Sequence, residues 1–298
     1  MALSLCATVL FVLGCRKGAV APQPGPSATV ARTNVFQGNG IVVEVNRPAK
    51  SVTIRHQAIS GYMGPMTMPF DVLSTNDLAG IEPGDPISFR LSITATEGWV
   101  DQIRITGPRT NILPTGGPVR FSHDVQELST GDPLPEWRFT NEWGQTSSTA
   151  QYHGQALAIE FLFTRCPFPT FCPRQARNFA ETQNRLLALT NGPPNWHLLT
   201  VTIDPAYDTP PVLRAYAGTY GYHSNHWTFA TATEDDVAAF GGRFGLAFSR
   251  DVVSGLPNHN LRTVVVDAGG RVQDILFGND WDAAELVPLI LKAANAGK

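Results

Sequence analysis

Gln155-Ala-Leu-Ala-Ile-Glu-Phe-Leu-Phe-Thr164, followed by Arg165-Cys166-Pro-Phe-Pro-Thr-Phe-Cys172-Pro173, decides how the larger part of this 298-residue chain folds. The first run is apolar almost throughout, as expected of a central strand buried on both faces. A helix is read from Pro173 to Thr190, with Phe179, Leu186, Leu187 and Leu189 as its apolar residues. Trp196-His-Leu-Leu-Thr-Val-Thr-Ile203 is a second buried strand. Thr209-Pro210 offers an N-cap with proline in the first helical position. Thr233-Glu-Asp-Asp236 starts another helix, with acids in the first turn where the helix dipole favours them. Thr263 to Phe277 reads as a hairpin about Gly269-Gly270, and Asp282 to Ala294 as a closing amphipathic helix.

Strand–helix–strand order, then a hairpin and a last helix, predicts an α/β thioredoxin-like domain over residues 123–298. The pattern upstream is all-β. Ile41–Val45 and Ser51–Arg55 are β-branched runs, Pro86–Ile93 alternates apolar and polar, and Trp99–Ile105 follows a Glu97-Gly98 turn. Short strands this dense predict a small OB-like barrel over residues 35–107. Three prolines and two adjacent glycines mark residues 108–122 as a linker. Two domains suit the length.

Residues 1–15 read as a signal segment. Ala2–Leu13 is an apolar stretch of h-region size, ending in Val12-Leu13-Gly14-Cys15. This resembles the bacterial lipoprotein box, which implies cleavage before Cys15, acylation of that cysteine and anchoring on the periplasmic side of a bacterial membrane. No Lys or Arg precedes the apolar run, and an uncleaved N-terminal anchor is the alternative. Residues 16–34 form a Pro-rich tether. Cys6 leaves with the signal, so Cys166 and Cys172 are the thiols that remain, in an oxidising compartment. Such a pair forms a disulfide or binds a metal. The net charge of −3 argues against a nucleic-acid partner.

Every methionine except the initiator falls in Met63-Gly-Pro-Met66-Thr-Met68, with His56 just upstream. Core methionines are usually scattered as gap-fillers. On an extended strand Met66 and Met68 face one side, and His56 can meet them across a strand pair. Imidazole with neutral thioethers suits Cu(I), discriminates poorly against Ag(I) and largely ignores zinc. The bland alternative is a Met-rich core edge beside a surface histidine. His56-Gln-Ala-Ile-Ser-Gly-Tyr-Met-Gly-Pro-Met-Thr-Met-Pro-Phe70 resembles the CusF-like copper-binding domain over about residues 36–106. The resemblance implies His56, Met66 and Met68 as copper ligands. Met63 stands where CusF has a capping tryptophan, which makes Met63 either a further thioether ligand or the mark of a missing cap.

Cys166 follows a buried strand and Cys172 opens a helix, whose N-terminus is expected to lower a thiol's pKa. Two thiolates and an imidazole make a trigonal Cu(I) site or an N,S set for Cu(II). Phe163-Thr-Arg-Cys-Pro167, Cys172-Pro173, Thr202-Ile-Asp-Pro-Ala-Tyr-Asp-Thr-Pro210, and His259 shortly before Thr263–Asp267, resemble the SCO/SenC family over about residues 125–296. The resemblance implies copper bound by Cys166, Cys172 and His259 and supplied to the copper subunit of cytochrome oxidase. It equally admits a thiol–disulfide oxidoreductase acting on the cysteines of a copper-site partner. The family spacing is usually Cys-x3-Cys, and here it is Cys-x5-Cys with two prolines inside. His223 and His226 read as solvent-facing, and Asp204 and Asp208 as turn and cap residues.

Overall fold

In the computed structural model, residues 33–94, 96–110, 125–250 and 255–296 are described. Five strands close into a barrel: β1 (Asn34–Asn46), β2 (Ser51–His56), β3 (Met66–Val72), β4 (Pro86–Ile93) and β5 (Gly98–Ile105), in the order β1-β2-β3-β5-β4. β1 is long enough to pair with both β2 and β4, and it changes register between Val42 and Glu44. Such a bulge bends a strand so that it can serve two neighbours. The parallel pairing of β3 with β5 completes the closure. Val52, Ile54, Phe70, Phe89, Leu91 and Val100 fill the interior.

Arg109 and Thr110, at the start of the expected linker, belong to the barrel. Arg109 Nε donates to Asp85 Oδ1 at 2.8 Å, and the Thr110 N–H donates to the Gly84 carbonyl at 2.8 Å. The rest of that stretch, the tether and the signal segment with Cys15 lie outside the described residues.

The α/β part contains β6 (Arg138–Asn141), β7 (Thr146–Ser148), β8 (Ala156–Leu162), α1 (Cys172–Leu187), β9 (Trp196–Thr202), α2 (Pro210–Thr219), β10 (Trp227–Thr231), α3 (Glu234–Gly242), β11 (Phe248–Arg250), β12 (Pro257–His259), β13 (Arg262–Val266), β14 (Val272–Phe277) and α4 (Ala283–Asn295). Seven strands form one sheet, β14-β13-β8-β9-β10-β6-β7, with β8, β9 and β10 parallel. Every residue of these three strands is buried. Alternate residues feed two cores. Leu157, Ile159 and Phe161 join Val237 and Phe240 of α3, while Ala156 and Ala158 join Leu213 of α2 and Leu286 and Ile290 of α4.

Thr209 takes the N-cap position of α2 without a side-chain cap hydrogen bond, whereas α3 and α4 start at capping side chains. Thr233 accepts from the Asp236 N–H, and Asp282 accepts from the Ala284 and Glu285 N–H groups. α1 begins at Cys172 and stops at Leu187, short of Thr190. A small hairpin, β11 with β12, lies where the sequence suggested only a loop, and its second strand ends on His259. Barrel and α/β part fall within one compact unit. Among the described residues no helix is long and apolar enough to cross a membrane.

Candidate metal centre

The cysteine loop leaves the end of β8 and enters α1, so the central strand aims Cys166 and the helix start fixes Cys172. Cys166 is half-buried, Cys172 is fully buried, and the two are not bonded to each other. The thiols titrate in opposite directions. A hydrogen bond from Cys172 lowers Cys166, and burial together with Cys166 raises Cys172 well above an ordinary thiol. The helix start was expected to favour a thiolate. At Cys172 desolvation prevails over the dipole, and the depressed thiol is the one outside the helix.

Two acids behind the loop hold it in place. Asp208 accepts from the Thr164 N–H at 3.0 Å, from the Thr164 hydroxyl, and from the Thr202 hydroxyl at 2.5 Å. Asp204, with no exposed side-chain surface, pairs with Arg165 Nε at 2.7 Å and with Arg250 Nη1 at 2.8 Å. Both were read as turn and cap residues. They also pin the two residues immediately preceding Cys166.

His259 comes from β12, on the opposite wall. Its Nε2 lies 3.8 Å from Cys172 Sγ, and its Nδ1 lies 2.8 Å from the Asn260 carbonyl. The carbonyl can only accept, so Nδ1 carries the proton and Nε2 presents its lone pair toward the sulfur. Burial lowers the imidazole pKa to about 4, which keeps it neutral at higher pH. Phe163 stands edge-on to the ring at 6.0 Å. A metal bonded at about 2.3 Å to sulfur and about 2.0 Å to nitrogen, with about 120° between them, spans about 3.7 Å. Cys172 and His259 therefore stand at the separation of two ligands to one ion. Among the described residues no three His, Cys, Asp or Glu side chains already converge on one point. A three-ligand site requires Cys166, Cys172 and His259 to draw closer together than they stand here.

In the barrel, His56 is the register partner of Met66, and Ile54 that of Met68. Opposed residues of an antiparallel pair share a face, and Met66 and Met68 are two apart. His56, Met66 and Met68 thus lie on one face, turned inward, each no more than 7% exposed. His56 Nδ1 lies 2.7 Å from the Gln57 carbonyl, which leaves Nε2 as the lone-pair nitrogen. The sequence-predicted trio is brought together. Met63 joins the same buried cluster of the barrel from outside the β2–β3 strand pair. It sits in the turn before β3, bridged to Ile59 and buried in the barrel core.

One cavity of ≈ 270 Å³ is lined by Met66 and Met68 from the barrel and by Cys166 and His259 from the α/β part, with Phe163 and Phe168 among its walls. The two clusters, read from the sequence as belonging to separate domains, share this one space. Their junction is hydrogen-bonded at three points. Asn258 Nδ2 donates to the Thr67 carbonyl at 3.0 Å, Tyr62 Oη to the Pro167 carbonyl at 2.6 Å, and Arg177 Nη2 to the Thr96 carbonyl at 3.3 Å. Phe168, in the middle of the cysteine loop, is buried in the barrel core and meets Phe70 edge-on at 5.5 Å. A Cβ on Gly98 would lie 2.8 Å from the Phe168 ring, so only glycine leaves room for it. The unusual cysteine spacing was the one signal in the sequence that this loop has a further partner. Of the other histidines, His223 is exposed, while His226 is half-buried and stacks on Trp196 at 4.2 Å.

A parallel-centred α/β domain with a cysteine pair at the strand-to-helix junction and a facing histidine, docked to a closed barrel with an inward His–Met cluster, defines the class of protein. The family model described as SCO1/SenC matches residues 126–295, and the chain belongs to that family. The model described as copper binding periplasmic protein CusF matches residues 35–105, and the N-terminal barrel is CusF-like. The chain is 27% identical over 114 residues to a SCO1 protein homolog of Bacillus subtilis, covering 37% of this chain and 56% of the relative. It thus spans little more than half the length of the curated relative it matches. The crystal structure of a SCO1/SenC family lipoprotein from Bacillus anthracis aligns with a TM-score of 0.51 at 20% identity, over 57% of this chain and 99% of that one. This last likeness is one of fold.

Proposed function

We propose that this chain is an extracytoplasmic copper metallochaperone with two soft-ligand sites. Cys166, Cys172 and His259 form one, and His56, Met66 and Met68 the other. The observation that carries the reading is the approach of Cys172 Sγ to His259 Nε2 at 3.8 Å, with Nδ1 occupied by the Asn260 carbonyl. A neutral imidazole and soft sulfur in an apolar pocket favour Cu(I) over harder ions. Cu(II) fits the N,S set of the cysteine site and is not favoured by the thioethers of the barrel. The copper is cargo, and the recipient is proposed to be the copper subunit of cytochrome c oxidase during its assembly. Attachment to a bacterial membrane through a lipid on Cys15 completes the reading. Met63 serves packing rather than ligation in this proposal.

The test is Cu(I) stoichiometry of the thiol-reduced protein against a competing chelator. Two ions per chain are expected, falling to one in Cys166→Ser/Cys172→Ser and to one in Met66→Leu/Met68→Leu. Retention of no ion would overturn the proposal.

One observation favours a second reading. A half-exposed thiol lowered by its partner, beside a buried thiol that is raised, is also the arrangement of an attacking and a resolving cysteine. A thiol–disulfide oxidoreductase would keep its activity in His259→Ala, whereas a chaperone would lose tight copper binding.

A further inference from the structure

The shared cavity bears on how cargo moves inside the chain. Met66 and Met68 line it from one side, Cys166 and His259 from the other, and Cys172 stands behind His259 at 3.8 Å. The barrel wall is held against the cysteine site by the Asn258–Thr67 and Tyr62–Pro167 hydrogen bonds. Asn258 adjoins His259, and Thr67 lies between the two methionines, so one hydrogen bond fixes both ligand sets. Phe168 adds an apolar anchor, carrying the cysteine loop itself into the barrel.

We propose that this cavity is an intramolecular transfer chamber. A cuprous ion entering at the barrel passes to the cysteine site by ligand exchange while the two modules stay docked. The inference rests on the metallochaperone reading and adds a path to it. Bonds from the ion to the Met66 and Met68 thioethers and to His56 break as bonds to Cys166 Sγ, Cys172 Sγ and His259 Nε2 form. The ion remains Cu(I), no electron moves, and each thiol still protonated gives its proton to water. Anionic thiolates neutralise the ion's charge and thioethers do not, so the exchange runs from methionine to cysteine. The lengthened Cys-x5-Cys loop carries Phe168 into the barrel core, and the long spacing is explained as the means of docking.

The experiment uses the reduced full chain with Cu(I) supplied as a chelator complex. Cysteine loading is followed by thiolate-to-copper absorption in stopped flow. The parent is expected to show a phase whose rate does not depend on protein concentration. Sites held together act at an effective concentration of about 1 mM, so at micromolar protein the loss of this phase should slow loading at least about tenfold. Met66→Leu/Met68→Leu should lose it. Tyr62→Phe/Asn258→Ala, which keeps every ligand, should slow it, and Phe168→Ala should slow it further if that variant folds. Equal loading rates in the parent and in Met66→Leu/Met68→Leu would overturn the chamber. So would an unchanged phase in Tyr62→Phe/Asn258→Ala once its modules are shown by crosslinking to be undocked. Failure of the underlying reading looks different, because then the parent retains no Cu(I) at its cysteines in the equilibrium measurement.

Discussion

Asn258 reaches across 191 positions of sequence to donate a 3.0 Å hydrogen bond to the carbonyl of Thr67. The acceptor is the residue between Met66 and Met68, and the donor immediately precedes His259. The contact thus couples the backbones that carry the two proposed sets of ligands. It also accounts for the β11–β12 hairpin, which presents Asn258 and His259 to the barrel from an ordered strand.

Asn258→Ala removes that donor and little else. A typical net contribution is about 1 kcal/mol. Unfolding monitored by circular dichroism should show a loss of that order, and the copper stoichiometry should not change.

At the proposed cysteine site His259→Ala leaves two thiols, enough to hold a cuprous ion in a linear arrangement. Cu(I) affinity by chelator competition should fall at least about tenfold, on the scale of damage to a metal's ligand environment. Cu(II), which needs the nitrogen, should no longer bind at the cysteine site.

Asp208→Ala strands the Thr164 N–H and the Thr202 hydroxyl behind the cysteine loop. Each buried group left without a partner costs about 1–3 kcal/mol. The variant should lose several times more stability than Asn258→Ala, and the thiol pKa of Cys166, measured by alkylation rate, should move. Asp208→Asn, which keeps one acceptor, should fall between the two.

Glu160, fully buried on β8, accepts from Thr200 Oγ1 at 2.7 Å, and burial pushes its carboxyl up to about 8. The folded state therefore keeps a proton that the unfolded chain releases above a pKa of about 4.3. Its contribution to stability is complete below that value and is lost as pH rises toward about 8. The slope is up to about 1.4 kcal/mol per pH unit. Glu160→Gln should flatten the dependence in this window, so that the stability difference between variant and parent, from urea titrations, grows with pH in the variant's favour. A constant difference would show that the carboxyl is not held protonated.

Gly98→Ala places a methyl group 2.7 Å from Ile93 Cδ1 and 2.8 Å from the Phe168 ring. Overpacking of this kind costs about 1–3 kcal/mol. Combining it with Phe168→Ala should recover part of that loss, a non-additivity that a double-mutant cycle can read.

The parts of the fold most legible in the sequence are those where one physical signal dominates. β8 and β9 stand out because strands covered on both faces are apolar at nearly every position. α3 and α4 declare their starts through Thr233 and Asp282. Met66 and Met68 are readable as a pair because strand periodicity is two, and His56 because the hairpin register sets it opposite Met66. The β6–β7 and β11–β12 hairpins are harder to see. They are short, and Pro257-Asn-His259 has no β-branched residue. The direction of the Cys172 shift depends on burial, which the local sequence does not reveal. The junction is least legible, because Phe168, Tyr62 and Asn258 look like ordinary loop residues until the partner surface is present. Only the lengthened cysteine spacing hints at them.

Phe168 makes the two halves of this protein poor candidates for dissection. Excised, the α/β half would carry a bare aromatic ring at the tip of its reactive loop, and the barrel would keep an empty socket above Gly98. Thiol potentials and ion affinities measured on such fragments would describe surfaces that the intact chain never exposes.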